Sequence, residues 1–203
     1  MRFFNKDKVK SGFTLVELLV VMSIFTIITT ALVIQQSKWS DRLALKTQIY
    51  ELALNLRQAQ INSLGVREYT TGTGDKFNLG YGIYFDQNNL NQYMFFADKD
   101  GDKEYDVGEV VETKTFTRGV TINRFCGLNL GLQERCSDQA GNLDTLHLSF
   151  FRPEPKANIL ILNGGLNQSG SINPPAIIYL RSVGGEESRI IVELSGQISI
   201  QND

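Results

Sequence analysis

A chain of 203 residues that is 42% hydrophobic and 10% aromatic can build one globular core plus an anchor, which excludes a string of domains. Its formal charge of -2 is unevenly spread. Arg2, Lys6, Lys8 and Lys10 against Asp7 give the first twelve residues a net +3, leaving -5 on residues 13–203.

A basic head followed at once by an apolar run is a membrane-targeting pattern, with the positive flank held on the cytoplasmic side. The run, residues 13–34, is 22 residues long, enough at about 1.5 Å per residue to span a hydrocarbon core of roughly 30 Å. The one glycine of the region, Gly12, precedes the run, so a cut there leaves the apolar helix on the mature protein. Glu17 lies inside the run. An ionised side chain at the bilayer centre costs about 2.5 to 3.5 kcal/mol. Glu17 therefore requires either a neutralising partner or a place near enough to the headgroups to snorkel.

The stretch Gly12-Phe13-Thr14-Leu15-Val16-Glu17-Leu18-Leu19-Val20-Val21 resembles the class III signal of type IV prepilins and type II secretion pseudopilins. The resemblance implies a prepilin peptidase that cuts between Gly12 and Phe13 and methylates the new amine. Glu17 becomes the fifth mature residue. In a packed filament, the α-amine of one subunit, with an ordinary pKa of about 8, would meet Glu17 of the next and set the axial register. The implied partners are the peptidase, other pilin or pseudopilin subunits and an inner-membrane assembly platform. The implied location is the bacterial cytoplasmic (inner) membrane, with a single pass and an extracytoplasmic domain, and then a pilus or pseudopilus. Members of that family commonly carry a Gly near the middle of the run and a Pro near its end. This chain has Thr26 and Ile34 there, so nothing marks a place for the helix to melt.

Beyond the membrane the helix is predicted to continue. No Gly or Pro interrupts residues 39–64, and Leu45, Ile49, Leu52, Leu56 and Ala59 recur at spacings of three and four as one apolar stripe. Gly65 stops the pattern. Alternation then predicts strands at 80–86, 92–97, 109–116, 120–125, 145–151, 158–162, 176–182, 189–194 and 197–200. Gly184-Gly185 and Ser195-Gly196 read as tight turns that make the last three strands an antiparallel meander, and residues 163–175 as a polar loop. The expected fold is α+β, a long helix with its second half packed on an antiparallel sheet. It divides into a leader 1–12, a transmembrane or filament-core helix 13–34, an amphipathic continuation 35–64 and a β-rich domain 65–203. "GYGIYFD", "DGDKEYDVGE" and "SRIIVELSGQISI" resemble, more loosely, the H-type pseudopilins and their minor-pilin counterparts.

Three features invite chemistry. Cys126 and Cys136 enclose a short loop, and outside the cytoplasm the expected outcome is a disulfide worth about 3 kcal/mol, against free thiols or a metal site. His147, the single His, alternates with Leu146 and Leu148 and reads as exposed. In "DKDGDKEYDVGE", residues Asp98, Asp100, Asp102, Glu104, Asp106 and Glu109 take positions 1, 3, 5, 7, 9 and 12 of a calcium loop, Glu104 through its carbonyl. Lys103 stands at the sixth position, where such loops want Gly, so a plain solvated turn competes with calcium. No cofactor is otherwise called for.

With one His and no recognisable catalytic motif, the sequence points away from an enzyme. A DNA receptor is the alternative to a filament subunit, with Arg118, Arg124, Arg135, Arg152, Lys156, Arg181 and Arg189 as candidate phosphate contacts. Residues 114–203 carry eight basic and eight acidic groups, so these cations form no net basic patch in sequence. The leader leaves type IV pilus, competence pilus and type II secretion equally open.

Overall fold

The computed structural model describes residues 12–65, 69–71, 74–76, 79–129, 131–139, 143–163, 166–167 and 173–202. Residues 1–11, and with them the basic part of the leader, lie outside that set.

One helix, α1 (Leu15–Leu64), runs unbroken through Thr26 and Ile34. The chain divides into two compact units, residues 1–40 and 41–203, and α1 contributes to both. In the first unit the segment Leu15–Val33 is 19 residues long and apolar, and none of it is buried. In the second unit α1 supplies the apolar stripe that the spacing predicts: Leu45, Ile49, Leu52, Leu56 and Ala59 are each at most 3% exposed. Gly65 ends the helix, its N–H bonded to the carbonyl of Ile61 at 2.9 Å.

The strands follow in chain order. β1 (Tyr69–Thr71) and β2 (Gly74–Lys76) form a small hairpin. Then come β3 (Gly80–Asp86), β4 (Gln92–Asp98), β5 (Val110–Thr115), β6 (Thr121–Leu128) and β7 (Glu134–Cys136). After these are β8 (Thr145–Phe150), β9 (Ala157–Asn163), β10 (Leu166–Asn167), β11 (Asn173–Arg181), β12 (Glu187–Val192) and β13 (Ile198–Asn202).

The expected antiparallel pairing forms, divided between two larger sheets in order β10-β9-β8-β3-β4-β5 and β13-β12-β11-β6-β7. Both present one apolar face to the α1 stripe, so Ile83, Phe85, Leu146, Leu148 and Phe150 of the first share a core with Phe125, Ile178, Leu180, Ile190 and Val192 of the second. A helix stripe covers one side of a sheet. A second sheet covers the remainder of the core. The meander of β11, β12 and β13 forms as read, with Gly185 and Gly196 at positive φ in its two turns, a region that costs other residues about 1 to 2 kcal/mol. The polar stretch expected as loop contains β10 and the start of β11; residues 164–165 and 168–172 lie outside the described set.

Candidate functional site

The amino-terminal signal is built around a helix start. Thr14 precedes the first helical residue, and its Oγ1 accepts the N–H of Glu17 at 3.2 Å while its hydroxyl donates to Glu17 Oε2 at 3.5 Å. The Thr-x-x-Glu spacing is that of a capping box, of which the Thr14 hydroxyl supplies the half that accepts the Glu17 N–H, and a carboxylate in the first turn also meets the positive end of the helix dipole. Besides the membrane and register roles that the sequence suggests for Glu17, the structure gives it a place in the helix start. The Thr14 spacing was the missed signal. Glu17 is exposed, and among the described residues no ion pair includes it. Phe13 is 80% exposed ahead of the helix. A Cβ placed on Gly12 meets nothing within 4 Å, so the fold itself places no demand for glycine there. Further along, Ser23, Thr26, Thr29 and Thr30 each donate their hydroxyl to a carbonyl one turn back, which leaves none of these donors for lipid to satisfy.

The acidic loop, residues 98–109, joins β4 to β5 and is held by its own first and last carboxylates. Asp98, buried at the end of β4, accepts the N–H groups of Gly101 at 2.6 Å and Lys103 at 2.8 Å. Glu109, also buried, accepts those of Lys99 at 2.6 Å and Asp106 at 3.1 Å, and the Lys99 ammonium donates to the Gly108 carbonyl. Lys103 takes a φ of 75°, so the sixth position makes the turn that glycine usually makes. Of the six predicted ligands, Asp98, Asp100 and Asp102 bring carboxylate oxygens within 4.8 Å of one another; the carboxylates of Asp106 and Glu109 do not join that group. Burial pushes the Asp98 carboxyl above the usual range, and the charges of Asp102 and Asp100 add to this. Burial does the same to Glu109, reinforced by Asp98 and Asp100.

The loop folds back over the outer face of the six-stranded sheet, and this overturns the expectation that His147 is exposed. His147 is 3% exposed. Its Nδ1 accepts the N–H of Tyr105 at 2.8 Å, Nε2 lies 3.2 Å from the Thr145 hydroxyl, and the Ser149 hydroxyl donates to the Lys103 carbonyl at 3.4 Å. Tyr105 stacks on Tyr84, and Tyr84 sets its ring edge to the imidazole. The Phe96 ring, against Tyr105, occupies the space a Cβ on Gly82 would need, 2.6 Å away. Burial lowers the His147 pKa to about 4. At neutral pH the ring is therefore an uncharged acceptor.

Cys126 and Cys136 sit directly opposite each other on β6 and β7 and form the disulfide. Arg124, Arg135, Arg181 and Arg189, four of the seven candidate phosphate contacts, lie on strands of the five-stranded sheet. Arg124 stacks 3.9 Å over the Tyr179 ring and pairs with Glu187 at 3.2 Å. Arg189 reaches Glu134 at 3.9 Å and the Tyr179 hydroxyl at 3.2 Å. Arg118 is in the turn before β6, and Arg152 and Lys156 line a surface cavity of about 280 Å³, Lys156 paired with Glu154. Three of the seven, Arg124, Lys156 and Arg189, are thus paired with carboxylates.

The prokaryotic N-terminal methylation motif matches residues 7–33. This is the class III signal of the type IV pilin and pseudopilin family. Comparison with curated proteins and with solved structures returned no match. A signal of this kind implies processing by prepilin peptidase and assembly with other pilins, and the exposed apolar helix fits inner-membrane anchoring. The α+β fold, with its amino-terminal apolar helix and antiparallel sheets, is pilin-like.

Proposed function

We propose that the chain is a minor pilin or H-type pseudopilin, a structural or initiating subunit of a type IV pilus-like filament. Glu17 carries this reading. It is a carboxylate on a wholly exposed apolar span, one turn from the residue that cleavage would turn into an α-amine, and no ion pair among the described residues includes it. A neighbouring subunit supplies the missing cation, and a charge pair in an apolar bundle fixes register because breaking it leaves a lone buried charge. The test is processing: co-expressed with a prepilin peptidase, the protein loses twelve residues and begins with N-methylated Phe13 by mass spectrometry. An intact leader, or a cut beyond the apolar span, overturns the reading. DNA reception has less support, because Arg124 and Arg189 are engaged by carboxylates within their own sheet; a steep salt dependence of DNA affinity would promote it.

For the acidic loop we propose a weak calcium site at Asp98, Asp100 and Asp102. The positive φ of Lys103 supports it, since the turn that a twelve-residue calcium loop needs at its sixth position is made without glycine.

A further inference from the structure

A sheet edge exposes unpaired N–H and C=O groups that template another strand, and proteins ordinarily blunt such edges by shortness, charge or bulges. Among the described residues, three of the four terminal strands of the two larger sheets are short or charged. β7 has three residues and β10 two. β5 carries Glu112 and Lys114, ion-paired at 2.6 Å, and a register shift against β4. The fourth edge is β13, which reads Ile198-Ser199-Ile200-Gln201-Asn202, with no charge, no proline and no shift in its pairing with β12.

The phase of that edge follows from the turn before it. Glu193 donates its N–H to the carbonyl of Gln197, which makes Gln197 a residue whose backbone faces β12. Antiparallel ladders alternate, so Ser199 and Gln201 also bond to β12, while Ile198, Ile200 and Asn202 turn their N–H and C=O groups outward. On the core side, Ile198 and Ile200 are only partly buried, because the sheet stops beside them.

We propose that the free edge of β13 is a docking strand for β13 of a second copy of this chain, antiparallel and centred on Ile200. The strand is complementary to itself in that register. Ile200 faces Ile200, and Ile198 faces Asn202 through the outward-turned groups, so every free backbone group of the three residues finds a partner. Ser199 faces Gln201 on the opposite surface, polar against polar and with no like charges opposed. Each copy also extends the other's sheet beside its half-covered Ile198 and Ile200. An edge of five residues buries well under the roughly 1,200 Å² of a stable interface, so the pairing depends on copies being concentrated, as they are when anchored in one membrane. It does not depend on Glu17 or on processing.

Cysteine pairs in the full-length protein, in membranes under mild oxidation, test the register. Ser199→Cys mixed with Gln201→Cys brings the two thiols opposite each other, whereas either variant alone sets like positions about 8 Å apart on the diagonal. The expected result is a covalent dimer at least tenfold more abundant in the mixture than in either variant alone. Val183→Cys, exposed in the turn between β11 and β12, should give no more dimer than the single variants. Adding Ile200→Pro removes an outward N–H and leaves the β12 ladder intact, so it should abolish the cross-link. Gln201→Lys with Ser199→Lys opposes like charges at the same edge, and should lower chemical cross-linking of the otherwise unaltered chain should the proline variant fail to fold. Equal cross-linking in mixed and single samples, no cross-link at all, or a cross-link that survives both edge variants overturns the proposal.

Discussion

The backbone N–H of Tyr105 donates to Nδ1 of His147 across 2.8 Å, tying the tip of the acidic loop to the middle of β8. The bond needs a neutral imidazole with a free lone pair at that nitrogen. Burial secures this by lowering the His147 pKa from 6.5 to about 4.

Stability should therefore respond to acid through His147. Above pH 6.5 the ring is neutral in both the folded and unfolded chain and contributes no pH dependence. As pH falls from 6.5 to about 4, the unfolded chain takes up a proton that the folded chain refuses, at a cost that reaches about 3 kcal/mol. Asp98, Glu104 and Glu109 act in the opposite sense, since their raised pKa values let the folded chain take up protons first as pH falls. The difference between wild type and His147→Asn, which keeps an acceptor near Nδ1 but does not titrate, isolates the histidine. Thermal melts in detergent should show wild type losing stability relative to the variant between pH 6.5 and 4. A constant difference across that window would mean the imidazole does not control the contact.

Gly12 separates the demands of the fold from those of the peptidase. A methyl group at Gly12 has open space around it, so Gly12→Ala should leave stability within about 0.5 kcal/mol of wild type. Cleavage is where the change should appear. Slow processing of Gly12→Ala and none of Gly12→Val, followed by mass spectrometry, would place the requirement for glycine in the enzyme's pocket. Normal cleavage of Gly12→Val would remove Gly12 from the recognition element.

How much of this was legible in the sequence depended on the range of the interaction. Strands such as β3 and β8 could be read because alternation is local. β7 could not, because three residues carry no period and the disulfide to β6 holds them in place. The split into two sheets is set by pairings such as β6 with β11, distant in sequence, while β4 pairs β5 nearby. Local pattern does not report on such partnerships. His147 was misread for a related reason: alternation correctly put it on the outer face of its sheet, but only the folded-back loop makes that face buried. Lys103 shows the reverse case, a residue whose type argued against a turn that the surrounding hydrogen bonds to Asp98 nevertheless impose.

Glu17 plays two roles that different substitutions can part. Glu17→Gln keeps a side chain able to complete the capping box with Thr14 but removes the charge. Glu17→Leu removes both. Each should insert into the membrane, since both are less polar than a carboxylate. If the register pair is the essential function, both should assemble poorly, because a lone α-amine in an apolar bundle costs about 3 to 5 kcal/mol, enough for filament yield to fall more than about tenfold. Filaments at wild-type yield from Glu17→Gln, with loss only in Glu17→Leu, would assign the residue to the helix start alone.

The acidic loop gives a test in which the backbone caps and the proposed ion behave differently. Asp100 is exposed and makes one long contact, accepting the Asp102 N–H at 3.4 Å, so Asp100→Ala should barely change the calcium-free protein. Glu109 holds two backbone N–H groups, so Glu109→Ala should destabilise with or without calcium by about 1 to 3 kcal/mol. Calcium should raise the melting temperature of the wild type at millimolar concentration, where extracellular sites of this kind commonly work with dissociation constants of about 0.1 to 1 mM. At ten times the dissociation constant the gain is about 1.4 kcal/mol. Magnesium should do less, being smaller and slow to shed water. The calcium shift should vanish in Asp100→Ala while its chelator-treated melt matches wild type. Identical wild-type melts in calcium and in chelator would show that the capping bonds of Asp98 and Glu109 hold the loop with no ion.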